Sequence, residues 1–201
     1  EGGRRMKLTC NLWVRLKVID LVVQTAWMTL TEKLDLGGDL VGLARYSFWR
    51  IELEGPDPER ALADVDRVVR MDSAFTNQNK HVYLLECEGA PSLGGLALDR
   101  DYPVMAEAGG AKGAYAVDCL VRELDTARDE GYRGRLNARL ESSSATDVAA
   151  GEVWRVIVRA GSREEAIEKV EEMAVTRSRR RGLLLNPHYQ RYEIISVSES
   201  W

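Results

Sequence analysis

The sequence is poor in the residues that usually carry catalysis. Only two histidines, His81 and His188, occur in 201 residues. There is no HExxH, no GxSxG and no CxxC pair, so the commonest metal-hydrolase, serine-hydrolase and zinc-ribbon signatures are excluded. The three cysteines, Cys10, Cys87 and Cys119, are odd in number and far apart. That pattern favours structural thiols in a reducing compartment over a disulfide or zinc framework. No long apolar run is present. The best stretch, Val18 to Leu30, contains Asp20, Gln24 and two threonines, which is too short and too polar to span about 30 Å of hydrocarbon. A net charge of −4 removes any general attraction to nucleic acid or anionic membranes. Met6 followed by Lys7 is expected to be the natural start, with EGGRR an upstream remnant and no secretory segment after it; the expected location is cytoplasmic.

What the chain does contain is a repeat. FWRIELEGPDPERALADVDRVV around Trp49 aligns with VWRVIVRAGSREEAIEKVEEMA around Trp154. A shift of 105 positions carries Trp49 onto Trp154, Arg50 onto Arg155, Glu59 onto Glu164, Ala61 onto Ala166 and Val65 onto Val170. Asp57 falls on Ser162, both good helix N-caps. Further on the shift becomes 109, pairing Asn77 with Asn186 and Tyr83 with Tyr192. The four extra residues lie in the run RSRRR. A repeat of this length is a small domain rather than a solenoid unit.

Each copy opens with period-two alternation, as in Leu8, Cys10, Leu12, Val14, Leu16 and Val18, which predicts a strand with one buried face. A helix is expected from Asp20 to about Leu34, burying Leu21, Ala26 or Trp27, Leu30 and Leu34. A Gly37-Gly38 break, a short stretch near Leu40–Leu43 and a separate strand from Tyr46 to Glu54 follow. Asp57 then caps a helix with Pro58 at its first position and Ala61, Leu62, Val65, Val68 and Val69 on its inner face. The turn TNQNK leads to a closing strand, HVYLLEC. In the second copy the strands and helices recur, with a turn expected at Gly151-Glu152, a capping box at Ser162 and Glu165, and an Asn186-Pro187 turn before QRYEIISV. The expected fold class is α+β: two tandem ferredoxin-like βαββαβ units, each a four-stranded antiparallel sheet with two helices on one face, packed as a pseudo-two-fold pair. The units are placed at 6–87 and 114–201, joined by a linker over 88–113 rich in Gly, Ala and Pro.

Functional candidates are few. AGGAKG at 108–113 lacks the Ser or Thr that a phosphate loop needs after its lysine and reads as linker. Asp20 and Asp125 recur after the first strand of each copy, where a carboxylate either orients a ligand or caps a helix. Arg177, Arg179, Arg180 and Arg181 form the sharpest charge cluster, able to hold phosphate or an acidic partner surface, or to be a solvated insertion. Trp49 and Trp154 are expected in the core, because the RNP1 pattern of an RNA-binding sheet is absent.

The order of several motifs resembles the PurS family. The closing segment LLLNPHYQRYEII supplies Leu184, Asn186, Pro187, Tyr192 and Glu193 where PurS proteins carry an L-x-N-P turn and a Tyr-acid strand. The opening VRLKVIDLVVQTA supplies Lys17, Asp20 and Gln24 where the family has a Lys and an Asp-x-x-Gln, and EVWRVIV after Gly151 is similar to its central strand. The chain departs in holding two copies, in Thr25 replacing a glycine, in Gln78 replacing the turn proline, and in keeping only Asp125 of the first motif in the second copy. The resemblance implies a non-catalytic subunit without cofactor or metal. In the phosphoribosylformylglycinamidine synthase complex of purine biosynthesis, PurS joins the glutaminase PurQ to the ATP-dependent synthetase PurL for ammonia transfer. The implied partner contacts are Asn77, Asn186, Pro187 and the loop Arg177, Arg179, Arg180 and Arg181. The alternative is a small-molecule-sensing regulatory module with its ligand between the two units.

Overall fold

The computed structural model describes residues 5–34, 36–98, 105–106, 113–178 and 182–200. The elements are β1 (Met6–Leu16), α1 (Leu21–Met28, continued by a π-helical turn at Thr29–Lys33), β2 (Leu40–Gly55), α2 (Pro58–Met71), β3 (His81–Cys87), β4 (Leu93–Gly94), β5 (Met105–Ala106), β6 (Ala114–Glu123), α3 (Ala127–Asn137), β7 (Ser144–Arg159), α4 (Arg163–Ala174) and β8 (Gln190–Ser200). The protein is therefore α+β, with antiparallel sheet pairing throughout its named strands. Among the described residues no helix is long and apolar enough to cross a membrane.

Each repeat contributes strand, helix, strand, helix, strand rather than the six elements expected. The stretches at 40–43 and 46–54 form one strand, β2, of 16 residues, and β7 is also 16 residues long. The expected turn at Gly151-Glu152 is absent because Gly151 lies inside β7. Neither Gly42 nor Gly151 is among the positive-φ glycines, so both stay extended and neither interrupts its strand.

The chain divides into two compact units that do not follow the repeat boundaries. Unit 1 comprises Glu1–Val18, Ser47–Leu98 and Asp125–Gly151; unit 2 comprises Ile19–Tyr46, Asp99–Leu124 and Glu152–Trp201. In unit 1 the strand order is β4-β3-β1-β2, with β1 pairing β2 from Met6↔Gly55 to Val14↔Ser47 and pairing β3 from Cys10↔Cys87 to Leu16↔His81. In unit 2 the order is β2-β7-β6-β8, and the short β5 also pairs with β2. Part of the linker lies among the described residues. β4 pairs with β3 at Leu84↔Gly94 and Leu85↔Leu93, and Gly94 has φ +103, where a Cβ would lie 2.1 Å from the Tyr83 carbonyl oxygen. Only glycine fits there.

The core of unit 1 gathers alternate residues of β1 and β2 with the inner face of α2: Leu8, Cys10, Leu12, Trp49, Ile51, Ala61, Leu62, Val65, Val68 and Val69. Asp57 starts α2 by accepting from the Arg60 N–H at 2.9 Å, with Pro58 in the first turn. Tyr132 and Leu136 of α3 complete this core. The Trp49 ring meets Tyr132 edge-on at 5.5 Å and Phe75 at 5.7 Å, geometries that add to plain area burial. In unit 2 the core holds Val117, Cys119, Val121, Trp154, Val156 and Val158 with Ala166, Val170, Met173 and Ala174 of α4, and α1 adds Val23, Ala26 and Leu30. Both tryptophans are buried, at 4% and 5% exposure. Leu21, expected inside, is 70% exposed. Capping by Asp20 starts the helix so that Val23, Ala26 and Leu30 point inward, one after another at i, i+3 and i+7. Cys10, Cys87 and Cys119 are buried free thiols.

One buried carboxylate organises the entry to β7. Asp64 of α2 accepts from the backbone N–H groups of Glu141, Ser142 and Ser143 at 2.9–3.1 Å, from the Ser142 hydroxyl, and from Arg67 at 2.8 Å. Burial pushes the Asp64 carboxyl up, but the Ser142 and Glu141 amides, Arg67 and Ser143 outweigh it and hold it below its usual value. A depressed carboxylate contributes stability that is present above the unfolded-chain value of about 3.9 and is lost as pH falls through the folded value. Asp64→Asn should therefore lower unfolding stability by about 3 kcal/mol at neutral pH and flatten the acid limb below about pH 4. Urea melts across pH 2–7 check this, and an unchanged acid limb would contradict it.

Candidate functional site

Two exposed turns, one on each unit, share the same hydrogen bonds. In unit 1 the Asn77 side-chain oxygen accepts from the Asn79 N–H at 3.0 Å, and its carbonyl accepts from Lys80 and His81 at 2.9 and 2.7 Å. The Asn77 N–H in turn donates to His81 Nδ1 at 3.0 Å. In unit 2 Asn186 accepts from the His188 N–H at 3.1 Å, and its carbonyl accepts from Tyr189 and Gln190 at 3.1 and 2.9 Å. Its N–H donates to Gln190 Oε1 at 3.0 Å. Every bond recurs 109 positions later, with an imidazole nitrogen and an amide oxygen as interchangeable acceptors. Asn is selected because its short side chain bonds the backbone two residues on.

Lys17 joins the first turn. Its Nζ donates to the Gln78 carbonyl at 2.6 Å, and its N–H donates to the Lys80 carbonyl at 2.8 Å. The backbone bond has a counterpart in unit 2, from Leu124 N–H to the Tyr189 carbonyl at 3.0 Å, but among the described residues the ammonium group does not. Behind each turn the closing strand is tied to its helix by a phenol. Tyr83 donates to Asp66 at 2.5 Å and Tyr192 donates to Glu171 at 2.9 Å. Burial and then Asp66 push the Tyr83 phenol up to about 12. The structure thus brings Lys17 and Asn77 together in unit 1, while Asn186 and Pro187 lie exposed in unit 2.

Asp20 and Gln24 lie in unit 2 on α1. Asp20 is 5% exposed, caps Val22 and Val23 and accepts from Arg45 Nε at 3.0 Å. Arg45 reaches Glu152 at 3.2 Å and lies over the Trp154 ring, 5.9 Å from its centroid. A cleft of about 540 Å³ opens beside this group, between α1, Trp154 and Leu183–Leu184. Gln24 is exposed. Asp125, in unit 1, is exposed and accepts from the Ala127 N–H at 2.9 Å. Of the two recurring aspartates only Asp20 is a helix N-cap, buried in an ion pair; Asp125 stands one residue before the N-cap Thr126.

Arg177 is exposed beside Glu168, Glu171 and Glu172 on α4. Arg179, Arg180 and Arg181 lie outside the described residues. Two of the ion pairs that sequence reasoning missed lie in unit 2. One is Arg45 with Asp20. The other is Arg155, which grips Asp118 through Nε and Nη2 at 2.7 and 2.8 Å, with Ser196 donating to the same carboxylate at 2.6 Å. Asp118↔Arg155 occupies the register of Asn11↔Arg50 in unit 1, but the shift of 105 carries Asn11 onto Ala116, so only the folded register shows the charged partner in one copy and the neutral one in the other. Among the described residues no three His, Cys, Asp or Glu side chains gather as metal ligands would.

Compared with family models, curated proteins and solved structures, the chain matches none.

Burial, and then Lys80, hold the His81 imidazolium below its usual value. The neutral ring is the form that accepts from Asn77, so the turn loses this bond as pH falls through the folded value. Proton-detected titration should show the Asn77 amide moving with a His81 pKa under about 6.5. His81→Gln, copying Gln190, should keep the turn and abolish that titration; an Asn77 amide that still titrates in this variant would refute the account.

Proposed function

We propose that this chain is a double PurS-like assembly subunit that joins a PurQ-like glutaminase to a PurL-like ATP-dependent synthetase in the phosphoribosylformylglycinamidine synthase complex. In this reading the two repeats descend from one ferredoxin-like unit and the protein works in the cytoplasm as a docking surface with no nucleophile of its own. The observation that carries the reading is the pair of exposed Asn turns, matched bond for bond at the places where the family's motifs fall. Lys17, the family's basic residue, reaches the first of them. Rigid, exposed turns presented at fixed points suit a surface that must be read by a partner, because little side-chain freedom is lost on binding.

The divergence between copies fits two different neighbours. The Asn77 turn carries an ammonium group and the Asn186 turn carries Pro187 and Tyr189. In sequence, the run Arg177, Arg179, Arg180 and Arg181 precedes the second turn and has no counterpart before the first, a positive charge suited to an acidic partner surface.

Reconstitution tests the proposal. Mixed with a matching glutaminase and synthetase, the full chain should restore glutamine-dependent amidation and be inactive alone. Lys17→Ala combined with Asn186→Ala should weaken assembly by about tenfold or more with ammonia-dependent turnover unchanged. Full glutamine-dependent turnover by the other two proteins without this chain would rule the proposal out.

A further inference from the structure

The matching cores of the two units differ where the unit 2 cleft lies. In unit 1 three aromatic rings close on one another: Trp49–Phe75 at 5.7 Å, Trp49–Tyr132 at 5.5 Å and Phe75–Tyr132 at 5.3 Å. Trp154 stands in Trp49's place. The residue two before the turn asparagine is Phe75 in unit 1 and Leu184 in unit 2. Setting the helix starts Leu21 and Ala127 level puts buried Ala26 at the place of buried Tyr132, and buried Leu30 at that of Leu136. One phenyl and one phenol have thus become an isobutyl and a methyl group. Trp154, Leu184 and Ala26 all line the cleft of about 540 Å³, a volume within the range of small-molecule sites.

The polar end of the cleft is also specific to unit 2. Arg45 and Glu152 line it. Arg45 is committed to two carboxylates, Asp20 and Glu152, so the ion group Asp20–Arg45–Glu152 sums to one negative charge. Glu152 keeps a side chain that is 49% exposed. An anion meets two carboxylates and a guanidinium already taken; a cation meets an exposed carboxylate. The apolar rim continues outward in Leu21 and Val22, at 70% and 48% exposure, a cluster that water does not favour leaving open.

We propose that this cleft binds a small organic cation that carries an aromatic ring. The ring takes the space that Phe75 and Tyr132 fill in unit 1, against Trp154, Leu184 and Ala26, and the ammonium group pairs with Glu152. The site goes beyond the assembly role and does not depend on it, since it is built from residues the Asn turns do not use.

Methyl-detected NMR of the full chain with tryptamine tests it, using tryptophol as the neutral analogue and indole-3-acetate as the anion. Tryptamine should shift the Ala26, Leu21 and Leu184 methyls saturably, with a Kd of about 1 mM or tighter. Tryptophol should bind at least about threefold more weakly and indole-3-acetate more weakly still. Ala26→Tyr with Leu184→Phe, which rebuilds the unit 1 aromatic cluster, should weaken tryptamine by at least about tenfold. Glu152→Gln, a change at a half-exposed side chain, should bring tryptamine and tryptophol to equal affinity. The proposal is overturned by no saturable shift at these methyls, by undiminished binding to the filled variant, by an unchanged tryptamine preference in Glu152→Gln, or by the anion binding best.

Discussion

The contact on which unit 1 depends is that of Trp49 with Tyr132, because it joins residues from different repeats inside one core. β1, β2 and α2 of the first repeat supply most of that core, yet its last wall is Tyr132, Leu136, Ala145 and Val148 of the second. Unit 2 shows the reciprocal arrangement: Val23, Ala26, Leu30, Leu40 and Leu43 of the first repeat lie in a core otherwise made by the second. Neither repeat closes a core by itself, since each core draws buried residues from the other repeat. Exchanging the first helix lets each unit recruit the other repeat's apolar face.

Other features follow from that exchange. A strand that serves both units must be long, which is why β2 and β7 are 16 residues each and carry their glycines in extended conformation. The chain arriving at β7 has to be held against α2, and its amide groups must find acceptors once buried. Asp64 supplies them. Asp72 does similar work for α3, accepting from Arg135 at 3.3 Å and pairing with Arg139 at 3.2 Å. These buried carboxylates are matched to their partners: without the carboxylate the amides lose their acceptor, and without the donors a buried charge is left unpaired.

Much of the secondary structure was legible because it is local. The α2 cap at Asp57, the α4 cap at Ser162, the inner face of α2 and the Asn turns depend on residues within a few positions of each other. The exchange was not legible. Nothing in the spacing of Leu21, Ala26 and Leu30 says which sheet α1 covers, so the compact units could not be read from the repeat boundaries. The turn expected at Gly151 failed for a related reason: glycine permits a turn but does not impose one, while the break expected after Leu43 fell where Ala44 and Arg45 simply continue the strand. Arg45–Asp20 and Arg155–Asp118 join residues distant in sequence, and no local spacing marks them. The contrast between copies, Phe75 and Tyr132 against Leu184 and Ala26, carries the cleft.

The repeat that identifies this chain is thus a repeat of sequence and element order, while the folded units are assembled from pieces of both copies. The most direct test is the state of residues 6–87 expressed alone and studied by sedimentation and urea unfolding with tryptophan fluorescence. The account predicts no folded monomer, with Trp49 solvent-exposed and no cooperative transition, and recovery of both when residues 113–201 are added. A cooperatively unfolding monomer of residues 6–87 with Trp49 buried would contradict it.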